Sequence, residues 1–158
     1  MSRERGNLWL FKELWGLDAV PSAADFDVFM KAVLTCANGD GQLTARERDW
    51  VVGYCAALGG PDTLLEELGA YPADEDVREL VERRPPVVQS RRALVYDAIR
   101  ACAADGDIRE GERAVVRRLA AQIGVPEDVV QALEEIYQDE RTIRQKRLDL
   151  AFPEGRPY

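Results

Sequence analysis

The chain has 158 residues, long enough for one domain with a substantial core, and its 46% hydrophobic and 32% charged residues mark it as globular rather than disordered. A formal net charge of -8 argues against nucleic acid and anionic lipid, which call for a basic face, and leaves cations, basic partners or plain solubility as what the acidic surface serves. Histidine is absent, which removes the commonest metal ligand, the usual general base near neutral pH and every histidine-dependent triad.

Residues 1–20 read as an N-terminal helical extension. Most apolar side chains of Leu8-Trp9-Leu10-Phe11-Lys12-Glu13-Leu14-Trp15 fall on one side of a helix, with Trp9 the outlier. Packing on its own domain is the expectation. Docking on a protein partner, on a second copy or on a membrane surface is the alternative. Ser22-Ala-Ala-Asp25 then resembles an N-terminal cap, and Phe26, Phe29, Met30, Val33, Leu34 and Ala37 follow at helical spacing. Val51, Tyr54, Cys55 and Leu58 mark the next helix, which ends at Gly59-Gly60, and Pro61 opens another through Leu64, Leu65 and Leu68.

A short acidic helix around Asp74–Glu82 bridges to Pro85-Pro86, read as a break. Leu94, Val95, Ala98, Ile99 and Cys102 form the next helix, Val115, Val116, Leu119, Ala120 and Ile123 the one after. Pro126 opens a helix with Val129, Val130, Leu133, Ile136 and Tyr137. The basic stretch from Arg141 to Arg147 is flanked by Asp139, Glu140 and Asp149 and reads as a solvated helix face; residues 151–158 are the tail, with no helix expected from Phe152 to Tyr158. No segment alternates with a two-residue period, so the expected fold is all-α, a single compact bundle of about seven to eight helices. Cys36, Cys55 and Cys102 fall on or near apolar helix faces without a CxxC pair, so they read as buried structural thiols. No secretory leader or membrane-length apolar run is visible, which points to the cytoplasm.

Internal repetition sets the architecture. The pattern Asp-Gly-x-(Leu/Ile)-x-x-x-Glu occurs at Asp40–Glu47 and again at Asp105–Glu112, 65 residues later. With the same offset Arg48 falls on Arg113, Gly59 on Gly124, Pro61 on Pro126, Leu68 on Leu133 and Leu34 on Ile99. One helix–turn–helix–turn–helix unit, about residues 26–68 and 91–133, has therefore been used twice within a domain of residues 21–150. Two copies are too few for a solenoid, so the pair should form one pseudo-symmetric domain.

The acidic turns have a purely structural explanation. Gly41 and Gly106 can take the left-handed conformation that ends a helix, and Asp40 and Asp105 can bond their own turn backbone. Leu43 and Ile108 would plug into the core, and Thr44-Ala-Arg-Glu47 would form a capping box. In the second copy Arg109 stands where Thr44 stood and is a poor cap, yet Glu112 remains, so something else should hold that carboxylate. The functional explanation is a divalent cation (calcium, magnesium or manganese) held by the hard oxygens of Asp40, Glu47, Asp105 and Glu112. An EF-hand comparison fits Asn38, Asp40, Gly41, Leu43 and Glu47, but its first ligand place is Cys36 in one copy and Ala101 in the other, which leaves too few ligands for tight binding.

Taken together, Ala37-Asn-Gly-Asp40-Gly41-Gln-Leu43-Thr-Ala-Arg-Glu47, Ala103-Ala-Asp105-Gly106-Asp-Ile108-Arg-Glu-Gly-Glu112 and the downstream Leu58-Gly59 and Ile123-Gly124 resemble the TerB-like tellurite-resistance family, over roughly residues 23–138. The resemblance implies a duplicated all-helical fold that brings the two acidic turns into one region. It also implies an association with bacterial resistance to tellurite and other stress, and a divalent-cation site at Asp40, Glu47, Asp105 and Glu112. The expected function is a non-catalytic module of this kind, with no organic cofactor. The alternatives are an interaction scaffold working through Trp9, Phe11 and Trp15, and, less favoured, a metal-dependent or cysteine enzyme for which no nucleophile or phosphate loop is visible.

Overall fold

Ser22 accepts the Asp25 N–H on its side-chain oxygen at 3.2 Å, and the helix this cap starts runs to Ala37. The computed structural model describes all of residues 1–158, in the order α1 (Ser2–Trp15), α2 (Ala23–Ala37), α3 (Ala45–Leu58), α4 (Asp62–Ala70), α5 (Val77–Glu82), α6 (Pro85–Gln89), α7 (Arg91–Cys102), a 3₁₀ turn (Ala103–Asp105), α8 (Glu110–Gln122) and α9 (Glu127–Ala151). The duplication is visible in these boundaries. Shifting α3 by the repeat offset lands it on α8, and the start of α4 lands on the start of α9.

At the centre, α2 lies against its own repeat partner α7, where Ala32, Val33, Leu34, Leu94 and Ala98 are wholly buried. The small Ala32 and Ala98 let the backbones approach while the leucines fill the space between them. Around this pair, α4 covers α3, α9 covers α7 and α8, and α5 and α6 cross the open side of α2. Each α3-type helix ends at a glycine with positive φ, Gly59 at 99° and Gly124 at 81°, a conformation that costs other residues about 1 kcal/mol.

The all-α expectation holds, with nine α-helices rather than seven or eight. The extra one is α6. Pro85-Pro86 does not break the chain into coil but opens this short helix, because a first-turn proline needs no N–H and already has a helical φ. The acidic bridge begins at Val77 rather than Asp74, since the Asp76 side chain accepts the Glu79 N–H and makes Asp76 the cap. The basic stretch Arg141–Arg147 belongs to α9, a single helix of 25 residues, and residues 153–158 carry no helix. No helix is long and apolar enough to cross a membrane.

The extension α1 packs inward, on its own domain. Phe11 is buried edge-on against Phe26 with ring centroids 5.9 Å apart, the Trp15 indole donates to the Tyr54 hydroxyl at 3.0 Å, and Asn7 donates to the Ala57 carbonyl at 2.8 Å. Trp9 points outward and is 61% exposed. Gly59 makes this approach feasible, because a Cβ there would stand 2.8 Å from the Asn7 side chain.

Candidate functional site: the paired acidic turns

The first turn is wired to itself. Gly41 takes φ 74° and donates to the Asn38 carbonyl at 2.7 Å, while the Asn38 side chain accepts the Leu43 N–H at 3.2 Å and donates to the Ala73 carbonyl at 3.2 Å. The Asp40 carboxylate accepts the Gln42 N–H at 2.9 Å, as an aspartate that shapes its own turn does. Thr44 and Glu47 close the capping box in both directions, each bond 3.1 Å long.

The second turn is wired outward. Its glycine, Gly106, has φ 131° and ψ -131°, so it is extended with positive φ and not the left-handed helix end expected. Asp105 does not bond its own turn as expected. Its Oδ2 accepts the Thr44 hydroxyl of the other repeat at 2.6 Å, and Arg46 stands 3.9 Å from its Oδ1. Arg109 has no acceptor to offer the helix start, so only half a capping box forms: the Arg109 N–H donates to Glu112 at 2.9 Å. The guanidinium completes the hold, donating from Nε at 2.9 Å and from a second nitrogen to the same Glu112 oxygen.

These bonds bring the two corners together. Glu47 and Glu112 are both buried, at 1% and 5% exposed, and Glu112 stands near enough for its charge to act on the Glu47 carboxyl. Glu47 Oε2 accepts the Thr44 N–H, while Oε1 has no hydrogen-bond partner. Burial first, then the charges of Glu112 and Asp105, push the Glu47 carboxyl up to about 7, against the opposing pull of the Thr44 N–H. Of the four acidic residues singled out from sequence, Glu47 and Glu112 lie buried at the junction and Asp105 is tied to it through Thr44. Asp40 sits at its exposed edge, where its charge is felt by Arg109 and Cys102. As the side chains stand, no three acidic or thiol groups are gathered closely enough to hold a metal ion. Two positive charges stand at the junction, Arg46 beside Asp105 and the guanidinium of Arg109, which Glu112 holds and on which the charges of Asp40 and Glu47 act.

The thiols do not join this site chemically. Cys36, Cys55 and Cys102 are free and buried, and burial pushes Cys36 up to about 12 and Cys55 to about 11, with Cys102 also raised. Such thiols keep their protons at neutral pH and behave as small apolar groups.

Sequence reasoning missed two features. The Arg109 clamp was signalled only by the loss of a threonine. The other is Asp97 on α7, wholly buried, whose equivalent in the first repeat is Ala32. An acid aligned with a core alanine is the signal that could have exposed it.

The crystal structure of a tellurite resistance protein from Nostoc punctiforme is similar to this chain with a TM-score of 0.95 and 38% sequence identity, covering 99% of this chain and 98% of that one. No family model matches the chain, and no curated protein matches it. Agreement over the whole length at this identity extends to the extension α1 as well as to the duplicated core. The chain belongs to the TerB-like tellurite-resistance family.

Proposed function

We propose that this chain is a non-catalytic, cytoplasmic tellurite-resistance and stress module whose paired acidic turns respond to a divalent cation. The observation that carries the reading is the burial of Glu47 and Glu112 near one another, with Glu47 Oε1 lacking any partner. Two neighbouring carboxyls out of water need a proton or a cation between them. Glu47, Glu112 and Asp105 offer hard oxygen ligands suited to calcium, magnesium or manganese, with Asp40 available at the rim. Arg109 is the competing charge. Its side chain is 55% exposed and can swing into solvent, which frees Glu112 for an ion. Three unpaired thiols support a reducing compartment.

Melting curves with and without millimolar manganese, calcium and magnesium test this reading. An ion that binds only the folded state raises the melting temperature, and the rise should be larger at pH 8 than at pH 6 because the ion must displace the Glu47 proton. Arg109→Thr, which restores the residue of the first turn, should enlarge the rise; Asp40→Asn with Asp105→Asn should abolish it. Identical curves with every ion, in the native chain and in Arg109→Thr alike, overturn the cation reading.

A further inference from the structure

Away from the acidic turns, the α1 extension closes one side of an apolar cavity of about 280 Å³. Ligand sites begin at about 300 Å³, so this one suits a small molecule. Phe11 and Trp15 of α1, Phe29 of α2, Tyr54 of α3 and Val87 of α6 supply an apolar and aromatic wall, and Asp97 of α7 lies within it. Asp97 is the anomaly. It is 0% exposed, and its Oδ1 accepts Arg100 at 3.2 Å, yet its Oδ2 has no hydrogen-bond partner. A buried acceptor without a donor is a standing penalty that native structures rarely carry without cause.

Neighbouring groups relieve it only in part. Arg100 is pinned with its guanidinium 5.0 Å from the Trp50 ring and 5.2 Å from the Tyr54 ring, so it serves one carboxylate oxygen only. The Tyr54 hydroxyl accepts from Trp15, keeps its own proton free and acts on Asp97, so it is the competing donor, but it makes no hydrogen bond of ordinary geometry to Oδ2. Bundle packing does not demand an acid either, since Ala32 fills the equivalent place in the first repeat.

We infer that this cavity binds a small amphiphile, an apolar body of five to eight carbons (about what the volume holds) carrying a hydroxyl or amine head that donates to Asp97 Oδ2. The body lies against Phe11, Trp15 and Phe29, and the extension α1 serves as the wall that excludes water. The site is independent of the acidic turns, and it stands or falls separately from them.

Calorimetric titration of the full chain with hexan-1-ol, hexylamine and 1-methoxypentane tests the inference. The alcohol and the ether have the same number of heavy atoms and differ in the donor. The alcohol or the amine should bind at least about fivefold more tightly than the ether, the value of one hydrogen bond. An amine tighter than the alcohol assigns a cationic head; equal affinities assign a neutral one. In Asp97→Asn, Arg100 keeps the amide oxygen and the amide NH₂ turns to the cavity, so the preference over the ether should vanish. Ala93→Phe, which fills the cavity from α7 and leaves Asp97 in place, should abolish binding of all three. No binding by any probe, an ether bound as tightly as the alcohol, or a preference that survives in Asp97→Asn overturns the inference. If Asp97→Asn does not fold, the native-chain ratio and Ala93→Phe still decide between binding and its absence.

Discussion

The two acidic turns share a motif and an offset, and they spend their carboxylates differently. In the first, Asp40 bonds Gln42 of its own turn and Glu47 bonds Thr44 of its own helix start. In the second, Asp105 bonds Thr44 across the junction and Glu112 is held by the Arg109 guanidinium. The difference originates in one residue. Threonine both donates and accepts, so it caps its helix and still reaches Asp105; arginine only donates, so it must grip Glu112 instead. The motif therefore marks where the chain bends, with Gly41 and Gly106 in different conformations, while the residue at the cap position dictates where the charges go.

The comparison can be strained first at the core the repeats share. Leu34→Ala and Ile99→Ala remove equivalent, wholly buried side chains from α2 and α7. Each should lower stability by about 3 kcal/mol in chemical denaturation, and by similar amounts if the repeats contribute equally. A difference above about 1.5 kcal/mol would show that one copy dominates the fold.

pH gives the next effect. The folded Glu47 titrates near 7, above its unfolded value near 4.5, so between these values the folded chain holds the extra proton. Stability from this group is complete below about pH 4.5 and is lost as pH rises through 7, a change of about 2 kcal/mol or less. Asp97, raised by burial from 3.8 to about 7 against the opposing charge of Arg100, acts in the same direction. The melting temperature should fall from pH 5 to pH 8, and Glu47→Gln should flatten part of that slope. A slope unchanged in Glu47→Gln would mean that Glu47 does not release its proton in this range.

Thr44→Val should cost about 1–2 kcal/mol, because it removes both a cap and the 2.6 Å bond to Asp105. Arg109→Ala should cost less than Thr44→Val, since the Arg109 N–H still holds Glu112 and the guanidinium is largely in solvent. If the order of these two is reversed, the arginine's hold on Glu112 and not the threonine bridge contributes more at the junction.

Much of the fold was legible because its signals are local. The Ser22 cap, the Thr44–Glu47 box, the glycine at 59 and the inward-facing Ile108 stand where spacing placed them. So does the outward Trp9, the outlier of the α1 stripe. The site was legible only in part. Asp105 pairs with a residue 61 positions away, a distance over which no spacing rule operates. Pro85-Pro86 was misread because proline ends one helix by the same geometry that begins another. Asp97 was overlooked because it sits at helical spacing among apolar residues and only its burial makes it unusual.

The sequence alone determined that this chain is a duplicated helical unit with an acid-rich bend in each copy, since periodicity, capping and repetition are properties of neighbours along the chain. Tertiary structure alone decided that Glu47 lies buried near Glu112, that Arg46 and Arg109 supply the positive charge at the junction, and that α1 closes a cavity over Asp97. Those outcomes depend on which side chains are brought out of water together, and charge and hydrogen-bonding energies in such places follow proximity in space rather than order in the chain.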